Sequence, residues 1–93
     1  MPPTPPYLIF GFDVDRANPA AGAIIHDAYM HLPPIPGLGS LGVDGVFLLP
    51  VRPSWAYQAF EQVAAALAET DVRHGRVLRW FVQLCGTGDF AGG

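Results

Sequence analysis

Residues 18–32 read NPAAGAIIHDAYMHL, and the fold turns on whether this stretch is strand or helix. Asn18-Pro19 suits a helix start, with proline at the first position. Yet Gly22 and the β-branched pair Ile24-Ile25 follow at once, and both weaken a helix. Asn-Pro followed closely by glycine also reads as a turn. In the turn reading, Ala23 to Leu32 is a strand that folds back on the segment before it. A register with Val14 opposite Ile24, Phe12 opposite His26, Phe10 opposite Ala28 and Leu8 opposite Met30 gathers one mostly apolar face, as a hairpin requires. The hairpin is the preferred reading. The alternative replaces it with a β-α unit.

Upstream, Tyr7 to Asp15 alternates as a half-buried strand does. Leu8, Phe10, Phe12 and Val14 fall on one side, and Tyr7, Ile9, Gly11, Asp13 and Asp15 on the other. Met1 to Pro6 is a flexible, proline-rich arm. Downstream, Pro33, Pro34 and Pro36 with Gly37, Gly39, Gly42 and Gly45 specify a long loop. Gly45 to Val51 is a short apolar strand that stops at Pro50.

Ser54 to Thr70 is the clearest helix. Pro53 breaks the chain, Ser54 offers a side-chain cap, and Ala56, Ala59, Phe60, Val63 and Leu67 share one face. Gln58, Glu61, Ala65 and Glu69 lie on the far side. Asp71 to Gly75 ends it. Arg76 to Cys85 is a strand with Leu78, Trp80, Val82 and Leu84 on one face and Val77, Arg79, Phe81, Gln83 and Cys85 on the other. Gly86 to Gly93 is a glycine-rich tail.

The expected fold is therefore α+β, with a single domain over residues 7–85. Its sheet is small, antiparallel or mixed, with about four strands in the order β-β-β-α-β. One amphipathic helix covers one face. Tyr7, Ile9, Tyr29, Val77 and Phe81 are assigned to the other, open face.

Composition points the same way. Of 93 residues, 51% are hydrophobic and 14% charged, against about 25% charged in ordinary soluble domains. Apolar surface is left over on a monomer of this size, and such surface marks a contact. A homodimer or a larger protein partner is expected. The net charge is −3, and there are five arginines and no lysine, which disfavours nucleic acid as a partner. The single cysteine, Cys85, excludes an internal disulfide and fits a reducing compartment. No signal-peptide pattern and no membrane-length apolar run is present, so a cytoplasmic location away from membranes is expected.

Several constellations have chemical potential. Asp13-Val14-Asp15 ends an apolar strand, where carboxylates can hold Mg²⁺. Leu8 to Asp15 resembles the first motif of the haloacid-dehalogenase-like phosphatases. The resemblance implies Asp13 as nucleophile and Asp15 as acid and base, but the lysine of that family's later motif has no counterpart here. Asp27 and His31 share a face whether their segment is helix or strand. With Asp13 and Asp15 they form a candidate metal site for a small hydrolase or phosphate-processing enzyme. The competing reading is a polar outer sheet face. Arg73, Arg76 and Arg79, with His74 among them, are candidates for an anion contact or for a solvated turn. Gly37 to Gly42 matches G-x-G-x-x-G, but a strand follows where a dinucleotide site needs a helix. As a flap over a nucleotide-like anion, this loop supports a ligand-sequestering reading. The terminal Gly92-Gly93 is similar to that of ubiquitin-like and sulfur-carrier proteins, whose helix follows the first hairpin.

The preferred function is a small non-enzymatic binding protein that needs no cofactor, acting as a dimeric adaptor or as an inhibitor of a larger protein. Its contact residues are Tyr7, Tyr29, Trp55, Trp80 and Phe81, because aromatic anchors dominate interface energy. The alternatives are the metal-dependent hydrolase using Asp13, Asp15, Asp27 and His31, and the anion-sequestering protein.

Overall fold

The computed structural model describes residues 6–32, 39–40 and 46–93. The arm over residues 1–5 and most of the proline- and glycine-rich loop lie outside these residues. The fold is α+β. Among the described residues five strands form one sheet: β1 (Tyr7–Val14), β2 (Gly39–Ser40), β3 (Val46–Pro50), β4 (Leu78–Cys85) and β5 (Asp89–Gly92). Their order is β2-β3-β1-β4-β5, and every neighbouring pair is antiparallel. Two helices, α1 (Ala21–His31) and α2 (Ala56–Arg73), complete the domain.

Residues 21–31 are helix, so the β-α alternative is the one realised and the preferred hairpin is not. The reason is that β1 has no free edge. Its two hydrogen-bonding edges are taken by β3 and β4. The helix also sorts the segment better than a strand would. Ile24 and Ala28 are buried, with Ala21, Ile25 and Leu32 packed beside them, which is the spacing of one helical face. Met30, paired with Leu8 in the hairpin register, is instead 68% exposed. The start is not the expected Asn18-Pro19 cap. Ala20 takes the cap position without a side-chain bond. Asn18 instead shapes the preceding turn, its Oδ1 accepting from the Ala20 N–H at 2.9 Å.

The connectivity is two interleaved β-α-β units. β3 lies between β1 and β2, and β1 lies between β3 and β4. This is the split β-α-β plan of ferredoxin-like domains, extended by β5. Two helices therefore share the covered face, where the sequence suggested one. Their apolar sides form a single core with Leu8, Phe10, Phe12, Val14, Leu49, Leu78, Val82 and Leu84.

Helix α2 buries the expected face, Ala56, Ala59, Phe60, Val63 and Leu67, together with Thr70. The Thr70 hydroxyl is satisfied by donating to the Ala66 carbonyl at 2.8 Å. Ser54 does not cap it. Pro53–Trp55 form a 3₁₀ turn, and Trp55 takes the cap position with no side-chain bond. The helix runs on to Arg73 and closes through Gly75 (φ 81°) and Arg76 (φ 64°), with the Arg76 N–H donating to the Asp71 carbonyl at 2.7 Å. The glycine-rich tail contains β5. A turn through Gly86 (φ 111°) and Gly88 (φ 84°) returns the chain alongside β4, and glycine is what permits those angles. Among the described residues no helix is long and apolar enough to cross a membrane.

Candidate functional site

Because β residues alternate sides, burying Leu8, Phe10, Phe12 and Val14 under the helices turns Tyr7, Ile9, Gly11 and Asp13 to the opposite face. The register extends this face across the sheet in rows. Leu48, Ile9, Gln83 and Phe90 form one row; Val46, Gly11, Phe81 and Gly92 form the next. Pro50, Tyr7 and Cys85 form a third, and Asp13 sits opposite Arg79 at one end. Phe90 is 64% exposed. Gly11, with no side chain, floors a shallow depression of about 380 Å³ walled by Val46, Phe81, Asp13 and Arg79.

Electrostatically this face is sparse. Asp13 and Arg79 are its charged pair, 4.0 Å apart, with 66% and 72% of their side chains exposed. A contact that long and that wet holds little energy. Across β1 and β4, the Cys85 thiol faces Tyr7 and raises the tyrosine pKa above its usual value, mainly through their hydrogen bond. The half-buried cysteine makes this row of the face accessible to thiol reagents.

A second polar cluster fastens the two helices together on the covered side. Asp27 Oδ2 accepts from His74 Nε2 at 2.7 Å and from Arg73 Nε at 3.0 Å. His31 Nδ1 lies 3.1 Å from Asp27 Oδ1 and 2.8 Å from the Asp27 carbonyl oxygen. The same nitrogen lies 3.4 Å from Arg73 Nη2. Arg73 also donates to Thr70 Oγ1 at 3.2 Å. The His74 hydrogen bond, and then the Arg73 one, hold the Asp27 carboxyl below its usual pKa.

The proposed hydrolase set is thus divided between two places. Asp27 and His31 meet on α1, where Arg73 and His74 occupy the carboxylate. Asp13 belongs to the open sheet face. Asp15 is spent in the turn after β1, its Oδ1 accepting from the Ala17 N–H at 2.9 Å. Among the described residues no three His, Cys, Asp or Glu side chains are grouped to hold a metal ion. The arginine trio is divided too: Arg73 is tied to Asp27, Arg76 forms the positive-φ turn, and Arg79 joins the open face.

Of the proposed contact residues, Tyr7 and Phe81 lie on the open face. Tyr29 does not. It is on α1, edge-on to Phe12 at 5.1 Å and to Phe47 at 5.6 Å. Trp80 packs partly buried against the core side, opposite Gly93. Among the described residues its enclosed indole N–H meets no acceptor. Trp55 is 41% exposed at the start of α2. Sequence reasoning missed Val46, Leu48 and Phe90. The signal for Phe90 was the turn Cys85-Gly86-Thr87-Gly88-Asp89, a short glycine-bearing connection after a strand, which reads as a hairpin.

The two sequence resemblances gain no support from the fold. The sheet is antiparallel throughout, and both Gly93 backbone groups bond to Trp80 beside β5. Gly39–Ser40 of the G-x-G-x-x-G run pairs with β3 as an edge strand, and the rest of that run lies outside the described residues. No protein-family model, curated protein or solved structure matches the chain.

Proposed function

We propose that the chain is a small interaction module, without catalysis of its own, that binds a protein through the open face of its sheet. Such a role covers a dimer, an adaptor or an inhibitor of a larger protein. One observation carries it. Among the described residues nothing covers a face with Leu48, Ile9, Val46, Phe81, Tyr7 and Phe90 in successive rows, while both helices are spent on the other side. Contiguous apolar patches on a small domain mark contacts, and tyrosine and phenylalanine are the residues such contacts favour.

Cys85 is the test. It stands on this face beside Tyr7 and is the chain's single thiol. In a native assembly its alkylation by iodoacetamide is slowed at least about tenfold against the dilute chain, and a bulky maleimide placed there blocks assembly. Alkylation at the same rate in both samples, with assembly untouched by the maleimide, overturns the reading.

A further inference from the structure

We infer that the occupant of the open face is a second copy of this chain, stacked sheet on sheet about a two-fold axis that runs parallel to the strands between β1 and β4, with Asp13 of each copy meeting Arg79 of the other. This rests on reading the face as a contact surface, and it names the partner.

The face is complementary to itself. An isologous contact requires that each feature meet its counterpart from the same surface. An axis between β1 and β4 lays each of these strands over the other in the second copy, and lays β3 over β5. The pairing register then dictates what meets. Gly11 is level with Phe81, so each Phe81 ring enters the depression of about 380 Å³ over the opposing Gly11. Val46 and Gly92 belong to that same row, and Leu48 and Phe90 to the next. Large therefore falls on small in the first row, and apolar on apolar at the flanks of the second.

The charges obey the same symmetry. Asp13 is level with Arg79, so the axis brings each carboxylate over the second copy's guanidinium, and four charges form a closed alternating ring. Within one chain the pair is only a 4.0 Å contact with both side chains largely exposed. Most of the donor fork of Arg79 is therefore free for a second carboxylate. A neutral, self-matched charge pattern is what a second copy supplies without further adjustment.

The area suffices. The four strands that overlap about this axis, β3, β1, β4 and β5, lie about 4.8 Å apart with the longest about 26 Å, which gives a projected footprint of at most roughly 500 Å² per copy. Roughly 1,000 Å² across the pair reaches the lower bound for a specific interface. β1 and β4 are the longest strands, with eight residues each, so an axis between them also maximises the overlap.

The experiment uses the full chain and light scattering from about 1 to 100 μM. The wild type is expected at the mass of two chains. Asp13→Arg alone and Arg79→Asp alone each set like charges across the axis, and each weakens the pair at least about tenfold. Both variants also carry like charges within the chain, so thermal melts of each confirm folding. The decisive arm is their equimolar mixture. Each variant then meets its complement, and a two-chain species containing one of each reappears. Phe81→Ala changes no charge and also weakens the pair at least about tenfold. It decides between the outcomes if the charge variants do not fold. A wild type at one-chain mass at 100 μM overturns the second copy, while the Cys85 test still decides the contact face. Two-chain mass with no preference for the mixed pair, or an unchanged Phe81→Ala affinity, overturns this docking geometry.

Discussion

Strand β1 serves two surfaces with one run of residues. Leu8, Phe10, Phe12 and Val14 point under the helices and are at most 5% exposed. Tyr7, Ile9, Gly11 and Asp13 alternate with them and point away. Both sets are largely apolar, which is why hydropathy alone cannot separate them. What separates them is cover. The first set meets the helices, and its burial is folding energy. The second has no helix over it among the described residues, and the surface that Tyr7, Ile9 and Asp13 leave exposed is available for association. Moving the strand by one residue would exchange the two sets, so the register that builds the core also aims the open face.

The largest expected effect lies on the covered side. Phe10 is fully buried and stacks on Phe47 at 5.4 Å. Phe10→Ala removes about 3–5 kcal/mol, from a total of about 5–14 kcal/mol for a domain of this size. Urea unfolding should show a midpoint lowered by about a fifth or more, or no cooperative transition. A midpoint close to wild type would mean that the covered face is not the core.

Its neighbour should behave in the opposite way. Ile9→Asp, one residue away on the open face, is expected to cost the dilute monomer about 1 kcal/mol or less, within the span of strand propensities. Self-association, read by sedimentation or light scattering, should weaken by at least about tenfold. If Ile9→Asp unfolds the monomer as Phe10→Ala does, the distinction between the faces collapses.

The third effect concerns what holds the cover in place. Helix α1 buries two side chains where α2 buries six, and Asp27 ties it to His74 and Arg73. The Asp27 pKa is lowered in the folded state. Such a group contributes stability above its unfolded value, about 4, and the contribution is lost as pH falls through the folded pKa. The wild-type urea midpoint should therefore exceed that of Asp27→Asn at pH 5–6, and the gap should close progressively below about pH 4. A gap that is constant from pH 6 to 3 would show that the carboxylate's charge is not what fastens α1.

Much of this division was legible in the residues. The alternation of β1 and β4 and the five-residue apolar stripe of α2 rest on local periodicity, and the structure keeps them. Residues 21–31 were not legible in the same way. Gly22 and Ile24-Ile25 speak against a helix locally, and the deciding fact is distant: β3 and β4 occupy both edges of β1. Tyr29 was misassigned with its segment. Ser40 and Phe47 come into register through pairings that no local pattern encodes. The Asp27–His31 neighbourhood follows from i, i+4 spacing on α1. Its link to Arg73 and His74 needs two helices packed side by side. The division of the hydrolase set has a similar cause, since Asp13 faces out through strand alternation while Asp27 is on a helix behind the sheet.

The smallest expected effect is at the start of α2. A serine after proline, just ahead of an apolar stripe, has the sequence of a helix cap, and removing a working cap costs about 1 kcal/mol. Here Ser54 lies inside the 3₁₀ turn Pro53–Trp55, is exposed, and the cap position carries no side-chain hydrogen bond. Proline fixes the entry instead, with the Trp55 N–H donating to the Arg52 carbonyl at 2.9 Å. Ser54→Ala should therefore change stability by less than about 0.5 kcal/mol, as expected for an exposed site without partners. A loss near 1 kcal/mol in chemical unfolding would place the hydroxyl on the free N–H groups of α2. The strength of the cover would then depend on its end as well as on its apolar face. An unchanged stability leaves that strength with Ala56, Phe60, Val63 and Leu67, the side chains that face the buried half of β1 and β4.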